Sequence, residues 1–143
     1  MRKISLTYFM ITLVFLAACG SRAGIVRNVQ IDIGPSDKFT QEEIEEAIDS
    51  VKERFIGFRG SLLIRLWYDE EASNHILEGY MTAGRGRTNG VKIENVIVLL
   101  SDFETDSSVA QRGFRPNSIY RNWSWTLIRD SENDAWRVDD WGY

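Results

Sequence analysis

The pattern of apolar and polar positions along the chain predicts alternating strands and helices. Residues 29–33 alternate in polarity and end at turn residues 34–37, which indicates a first strand at the edge of a sheet. Apolar residues then recur at helical spacing and predict a helix over about 41–56, with one face on a sheet. Thr40 can cap this helix, and Glu43 can complete a capping box.

The rest of the chain continues in the same way. The predicted segments are, in order, a buried strand over 61–68, a short helix capped by Asp69, a loop over 82–90, a central strand within 91–103, a loop over 105–118, and strands over 120–129 and 135–141. This order favours an α+β fold, in which one long helix packs on a curved antiparallel sheet of about five strands. A second, short helix is predicted beside the long helix and the sheet.

The amino-terminal segment has the layout of an export signal. Two basic residues precede an apolar stretch over 4–15, and small residues then lead to Cys19. The apolar stretch is shorter than the roughly 20 residues that a membrane-spanning helix needs. We therefore expect 1–18 to be a signal peptide, 19–24 to be a short lipidated tether, and 25–143 to be a single α+β domain.

Cys19 is the only cysteine, so no disulfide can form within the chain. The sequence Leu-Ala-Ala-Cys at 16–19 resembles the lipobox of bacterial lipoproteins. The resemblance implies diacylglyceryl transfer to the Cys19 sulfur, cleavage after Ala18, and a lipid anchor at the extracytoplasmic face of the cell membrane. Ordinary cleavage after Ala23 is the alternative, because 21–23 also place small residues at the two key positions.

Charge narrows the range of partners. The chain has 17 basic and 21 acidic residues, and loss of 1–18 removes two basic ones, which leaves 15 against 21 and a net charge of −6. An acidic domain lacks the electrostatic footprint of a nucleic-acid-binding protein, so we expect no nucleic-acid partner. Its net charge also does not favour an anionic membrane, so the lipid is expected to hold it there. No cofactor is indicated.

Four segments together resemble a known family; they are 66–71, 95–103, 123–130 and 136–143. They are similar to a family of uncharacterised lipoproteins of clostridia and related Firmicutes, catalogued as a domain of unknown function. The resemblance covers roughly 39–143 and depends most on the closing Trp-x-Val-x-Asp-Trp-Gly-Tyr. It implies a Gram-positive cell surface and a fold similar to the cystatin and nuclear-transport-factor-2-like group. It implies no known activity and no site residues.

Isolated ionisable residues give no catalytic or metal site. His75 is the only histidine, and no nucleophile accompanies it in a recognisable motif, so we expect a solvated helix residue. The adjacent carboxylates of 69–71 cannot all face one ion, and a capped helix start explains them better. Asp139 and Asp140 point to opposite faces of a strand and do not form a carboxylate dyad.

The glycine-rich segment 84–90 is a candidate anion-binding loop. Its backbone amides and the guanidiniums of Arg85 and Arg87 could surround an anion. It lacks the Lys-Ser/Thr ending of a phosphate-binding loop and does not lead into a predicted helix. A flexible connector is the alternative, and it is the favoured one.

A set of aromatic residues offers a second candidate site. The members are Tyr68, Trp123, Trp125, Trp136 and Trp141. On the concave face of the sheet they could line a cup for a small apolar or sugar-like ligand. The alternative is a core packed with large rings, each of which buries about 150–250 Å².

The leading functional hypothesis is a non-enzymatic, lipid-anchored domain that binds a ligand or a protein in the cell envelope. Its working surface would be the aromatic cup and the loop over 82–90. The alternative is an enzyme with an acid–base pair in the same cup, with Asp69 or Asp102 as the acid.

Overall fold

One five-stranded sheet organises the domain. The computed structural model describes residues 22–109 and 113–143, so the predicted signal peptide and Cys19 lie outside the described residues. The elements are β1 (Gln30–Ile33), α1 (Gln41–Phe55), β2 (Ser61–Tyr68), α2 (Glu70–Thr82), α3 (Gly86–Asn89), a 3-10 turn (Ile93–Asn95), β3 (Val96–Thr105), β4 (Ile119–Ile128) and β5 (Arg137–Gly142). The strands lie in the order β1-β2-β3-β4-β5, which confirms an α+β domain on a five-stranded sheet.

The sheet is mixed, and the expectation of a purely antiparallel sheet was wrong. β1 pairs with β2 in parallel, whereas the other three pairs are antiparallel. The reason is the helix between them, because α1 carries the chain back along the sheet and lets β2 start at the same end as β1. β1 is an edge strand, as the turn residues that follow it indicated.

The start of α1 is fixed by the predicted capping box. The Thr40 side chain accepts a hydrogen bond from the Glu43 amide at 3.2 Å, and the Glu43 carboxylate accepts one from the Thr40 amide at 2.8 Å. Both bonds satisfy amides that a helix start would otherwise leave unpaired. The apolar face of α1 is buried on the sheet; its members are Ile44, Ala47, Ile48, Val51 and Phe55.

The second helix covers the opposite face of the sheet. β3 alternates, so that Ile97 and Leu99 belong to the core under α1 while Val96 and Val98 pack with Leu77 of α2. The Ser73 hydroxyl of α2 also donates to the Val98 carbonyl at 2.7 Å. The sheet is therefore covered by a helix on each face.

The described part of the predicted tether, 22–24, packs on the domain. The Gly24 amide donates to the Ile56 carbonyl at 2.9 Å, and the Gly60 amide donates to the Arg22 carbonyl at 2.8 Å. Ile25 then forms a parallel bridge with Leu62 at the start of β2. The chain is thus held by the domain from Arg22 onward.

Candidate functional site: an acidic groove beside the first helix

The predicted aromatic cup is filled. Tyr68, Trp123, Trp125 and Trp136 lie in the hydrophobic core, and Trp125 is 0% exposed. Trp141 is half-buried and packs against the same core. The first four rings therefore pack in the core, and Trp141 also lines an open hollow of about 420 Å³ between α2 and the strands β4 and β5.

Helix α1 and the turn that follows it supply the filling. Phe55 and Phe58 bring their rings to 6.3 and 5.0 Å from Trp125, centroid to centroid. The Trp125 indole donates to the Ser101 hydroxyl at 2.8 Å, so its polar atom is satisfied inside the protein. The face of the sheet under α1 holds these side chains in the core, so the alternative of a packed core describes this face.

The candidate anion loop is folded against α2. Arg85 donates to both oxygens of Asp139 at 3.0 Å, and Asp139 also accepts a hydrogen bond from the Tyr80 hydroxyl at 2.7 Å. The hydrogen bond from Arg85 lowers the pKa of Asp139, while burial and then the Asp139 carboxylate raise the pKa of Tyr80. The Arg85 charge is thus paired within the protein, although its side chain, like that of Arg87, is exposed.

The glycines of this segment allow a close approach. A Cβ on Gly86 would lie 2.6 Å from the Tyr80 ring, and one on Gly84 would lie 2.9 Å from the Tyr80 backbone. Part of the expected loop is helical, because α3 occupies Gly86–Asn89. The glycines therefore serve packing against Tyr80, which the sequence alone did not indicate.

The candidate ionisable residues are either exposed or bonded to the backbone. His75 is exposed on α2. Asp69 caps α2 by accepting the Ala72 amide at 2.8 Å, as predicted. Asp102, the other candidate acid, accepts the Asn122 amide at 2.9 Å. Each of these two carboxylates thus has a backbone partner.

A groove beside α1 is lined mainly by acidic side chains. The groove has a volume of about 670 Å³, with one wall from α1 and the other from the turn between β4 and β5. Among the residues that the structure describes, seven carboxylates line it, against the single guanidinium of Arg129. They belong to Glu42, Glu43, Glu46, Asp49, Glu53, Glu132 and Asp134. We call this surface the acidic groove.

Arg129 lies in the groove wall and is held by the protein. Its side chain is 5% exposed, and its guanidinium lies 2.8 Å from the Glu43 carboxylate. It also donates to the Glu132 carbonyl at 3.1 Å and stacks on Trp136, with 4.3 Å from Cζ to the ring centroid. The one positive charge of the groove is therefore already engaged.

The electrostatics of Glu43 reflect this pairing. Burial alone would raise the pKa of Glu43, but the Thr40 amide and the Arg129 guanidinium outweigh burial and lower it. Glu43 therefore remains ionised and links the start of α1 to the end of β4.

Two buried donors line the groove without an acceptor. Neither Arg129 Nε nor Trp136 Nε1 has a hydrogen-bond partner among the described residues, although both atoms are buried. Unpaired buried donors are uncommon in folded proteins. This site was not identified from the sequence. The recurrence of acidic residues at 42, 46, 49 and 53 is a helical stripe and could have indicated a charged surface.

The spread of the carboxylates limits what the groove can hold. Within 22–109 and 113–143, no group of three or more His, Cys, Asp or Glu side chains is arranged to hold a metal ion. Carboxylates spaced along a groove instead suit a ligand with several separated positive charges.

Two further observations complete the description. None of the helices in the described ranges has the length and apolar character that crossing a bilayer requires. No protein-family model matches the chain, and neither a search of curated proteins nor one of solved structures finds a match.

Proposed function

We propose that the chain is a lipid-anchored bacterial lipoprotein whose α+β domain binds a basic peptide segment of an envelope protein in the acidic groove. The observation that carries the binding proposal is the set of seven carboxylates in one groove, whose only lining guanidinium is paired with Glu43. Charge complementarity of this kind speeds association and selects partners. The role is binding without catalysis.

The anchor is the second part of the proposal. Its support is the lipobox-like sequence at 16–19 and the absence of any other cysteine. Two acyl chains on Cys19 would hold stably, since each buried methylene contributes about 0.8 kcal/mol and one chain alone is marginal. The working location is the extracytoplasmic face of the cell membrane.

The proposal also includes the family and the fold group that the sequence resembles. Membership of the clostridial lipoprotein family is supported by the four segments that resemble it, which cover 123–128 of β4 and the whole of β5. A fold similar to the cystatin and nuclear-transport-factor-2-like group is supported by α1 packed on a sheet. The parallel pairing of β1 with β2 and the position of α2 on the opposite face of the sheet are the features by which to compare this domain with that group.

A peptide-binding measurement tests the groove. A fluorescent peptide of alternating lysine and serine is titrated with the mature protein in detergent, and anisotropy is followed at two salt concentrations. Replacing Glu46, Asp49 and Glu53 by their amides should weaken binding about tenfold, because three exposed charge pairs contribute roughly 0.5 kcal/mol each.

A matched triple variant is the control. Glu78→Gln, Glu94→Gln and Glu104→Gln change the net charge equally but lie outside the groove, on exposed positions. This variant should bind as the parent does. Equal weakening by both triple variants would show an effect of net charge alone and would contradict the groove as the site.

A further inference from the structure

We infer that the end of the domain where β2 begins lies against an anionic lipid surface. This inference depends on the proposed anchor at Cys19. It concerns a surface that we call the entry end, formed by Arg22, Ile56, Arg59, Arg115 and Ile119.

The first argument is the way the chain enters the domain. Backbone hydrogen bonds fix Arg22 to Gly60 and Gly24 to Ile56. A Cβ on Gly24 would overlap the Phe55 carbonyl oxygen, so only glycine allows this close approach. The entry point is therefore a fixed part of the domain surface at the end of α1.

The second argument is the short reach between anchor and domain. Three residue steps separate Cys19 from Arg22, and a chain spans at most about 3.3–3.6 Å per residue. A lipidated Cys19 at the level of the headgroups would thus hold Arg22 within about 10 Å of the bilayer. A domain held so closely must present its entry end to the lipid.

The third argument is the chemistry of the entry end. Ile56 and Ile119 are 52% and 56% exposed, and both lie at this end. The Ile56 carbonyl accepts the Gly24 amide, and Ile119 pairs with Glu104, which pairs in turn with Leu62, the bridge partner of Ile25. Exposed apolar side chains together with basic ones suit the interface of an anionic bilayer.

The charges at this end are mostly basic. Arg22, Arg59 and Arg115 are exposed, and backbone contacts place them together: the Gly60 amide donates to the Arg22 carbonyl, and the hydroxyl of Thr105, the partner of Ser61, donates to the Arg115 carbonyl. Glu104 and Asp106 lie among them, and Glu53 lies one helical turn before Ile56; all three are exposed, as is the neighbouring Arg54. Asp106 accepts hydrogen bonds from the Ser108 hydroxyl and amide, which together with the nearby Arg22 charge lower its pKa. The arginines thus outnumber the acids at the surface that the short link holds near the lipid.

The fourth argument is the charge gradient along α1. The helix begins with Glu42 and Glu43 and ends with Lys52 and Arg54. The first turn lies at the acidic groove, whose carboxylates continue along one side of the helix to Glu53, and the last residues of the helix lie at the entry end. An anionic surface would repel the carboxylates of the first turn and attract Lys52 and Arg54 of the last turn, which favours the orientation with the entry end toward the lipid.

Amide exchange on vesicles tests this orientation. The full chain is expressed in a bacterial host, and the lipidated protein is placed in vesicles of phosphatidylglycerol and phosphatidylcholine or in detergent. Flotation reports anchoring, and hydrogen exchange followed by mass spectrometry reports the contact. Peptides over 55–62 should exchange several-fold more slowly on the vesicles, whereas those over 129–137 should be unchanged.

Two matched double variants sharpen the test. Ile56→Ser with Arg59→Glu alters the entry end and should abolish the slow exchange over 55–62, while the protein still floats. Ile93→Ser with Arg87→Glu makes the same chemical changes at exposed positions elsewhere and should leave it intact.

The outcomes separate the two proposals. A protein that floats but exchanges equally on vesicles and in detergent overturns the orientation and leaves the anchor standing. A protein that does not float overturns the anchor and the orientation with it. Equal loss of protection in both double variants also overturns the entry end as the contact.

Discussion

Arg129 and Glu43 join the end of β4 to the first turn of α1 through an ion pair of 2.8 Å, with the arginine side chain 5% exposed. The same guanidinium stacks on Trp136, so one side chain connects the helix, the sheet and the aromatic core. The pair also forms part of the wall of the acidic groove. Its removal should therefore affect both stability and the shape of the groove.

Arg129→Met should destabilise the domain by about 2–4 kcal/mol. The substitution leaves the Glu43 carboxylate without its buried partner, and losing one member of a buried pair is strongly unfavourable. Urea denaturation measures the free energy of unfolding. Arg137→Met is the control, since its pair with Asp130 is exposed and should contribute less than about 1 kcal/mol. Similar losses for the two variants would contradict the special role of Arg129.

Stability should fall in acid through Glu43. Its pKa is lowered in the folded protein, so the unfolded chain takes up the proton more readily. The contribution of Glu43 is fully present above its ordinary pKa of about 4.3 and is lost as pH falls through the lower, folded value. Denaturation at a series of pH values should show this decrease, and Glu43→Gln should make it shallower. An unchanged slope in that variant would show that other carboxylates are responsible.

Gly24→Ala should destabilise the packing of the entry segment by about 1–3 kcal/mol, because the added methyl group overlaps the Phe55 carbonyl. Gly79→Ala provides the contrast, since it lies within α2 and no atom comes within 4 Å of the new Cβ. It should stabilise the domain by up to about 1 kcal/mol. Thermal unfolding of both variants checks the pair, and a neutral Gly24→Ala would mean that residues 22–24 are not held on the domain.

Ser101→Ala should cost about 1–3 kcal/mol, because the buried Trp125 indole loses the hydroxyl that accepts its hydrogen bond. Ser107→Ala, at an exposed position, should change stability by less than about 0.5 kcal/mol. Denaturation monitored by tryptophan fluorescence distinguishes them. A stable Ser101→Ala protein would indicate that water reaches the indole and would restore the aromatic cup as a candidate.

Cys19→Ala should release the protein from membranes, because the thiol that would carry the lipid is absent. Cell fractionation measures the change, and metabolic labelling with a palmitate analogue should lose its signal in parallel. Continued membrane attachment of the variant would contradict the anchor.

Local patterns predicted the elements of this fold well. The capping box at Thr40 and Glu43 placed the start of α1 at the observed residue, and the apolar run after Gly60 gave β2 its observed bounds. Asp69 likewise marked the start of α2. These features depend on neighbours in sequence, which a single chain displays directly.

Contacts between residues far apart in sequence could not be predicted from such local patterns. The parallel pairing of β1 with β2 depends on where α1 returns the chain, and the burial of Trp125 depends on Phe55 and Phe58, which lie far from it in sequence. The acidic groove combines a stripe on α1 with a turn about 80 positions later. The net charge of the chain likewise did not indicate the basic entry end, because one total carries no information on where the charged residues lie.

The two edge strands of the sheet affect whether neighbouring copies can pair with each other strand to strand. β1 has only four residues, and the register of β5 against β4 shifts between Thr126 and Leu127, so each edge offers a short or irregular row of free backbone groups. Such edges are poor templates for a strand from another molecule. Neighbouring copies at high local concentration are thus discouraged from joining their sheets into continuous aggregates.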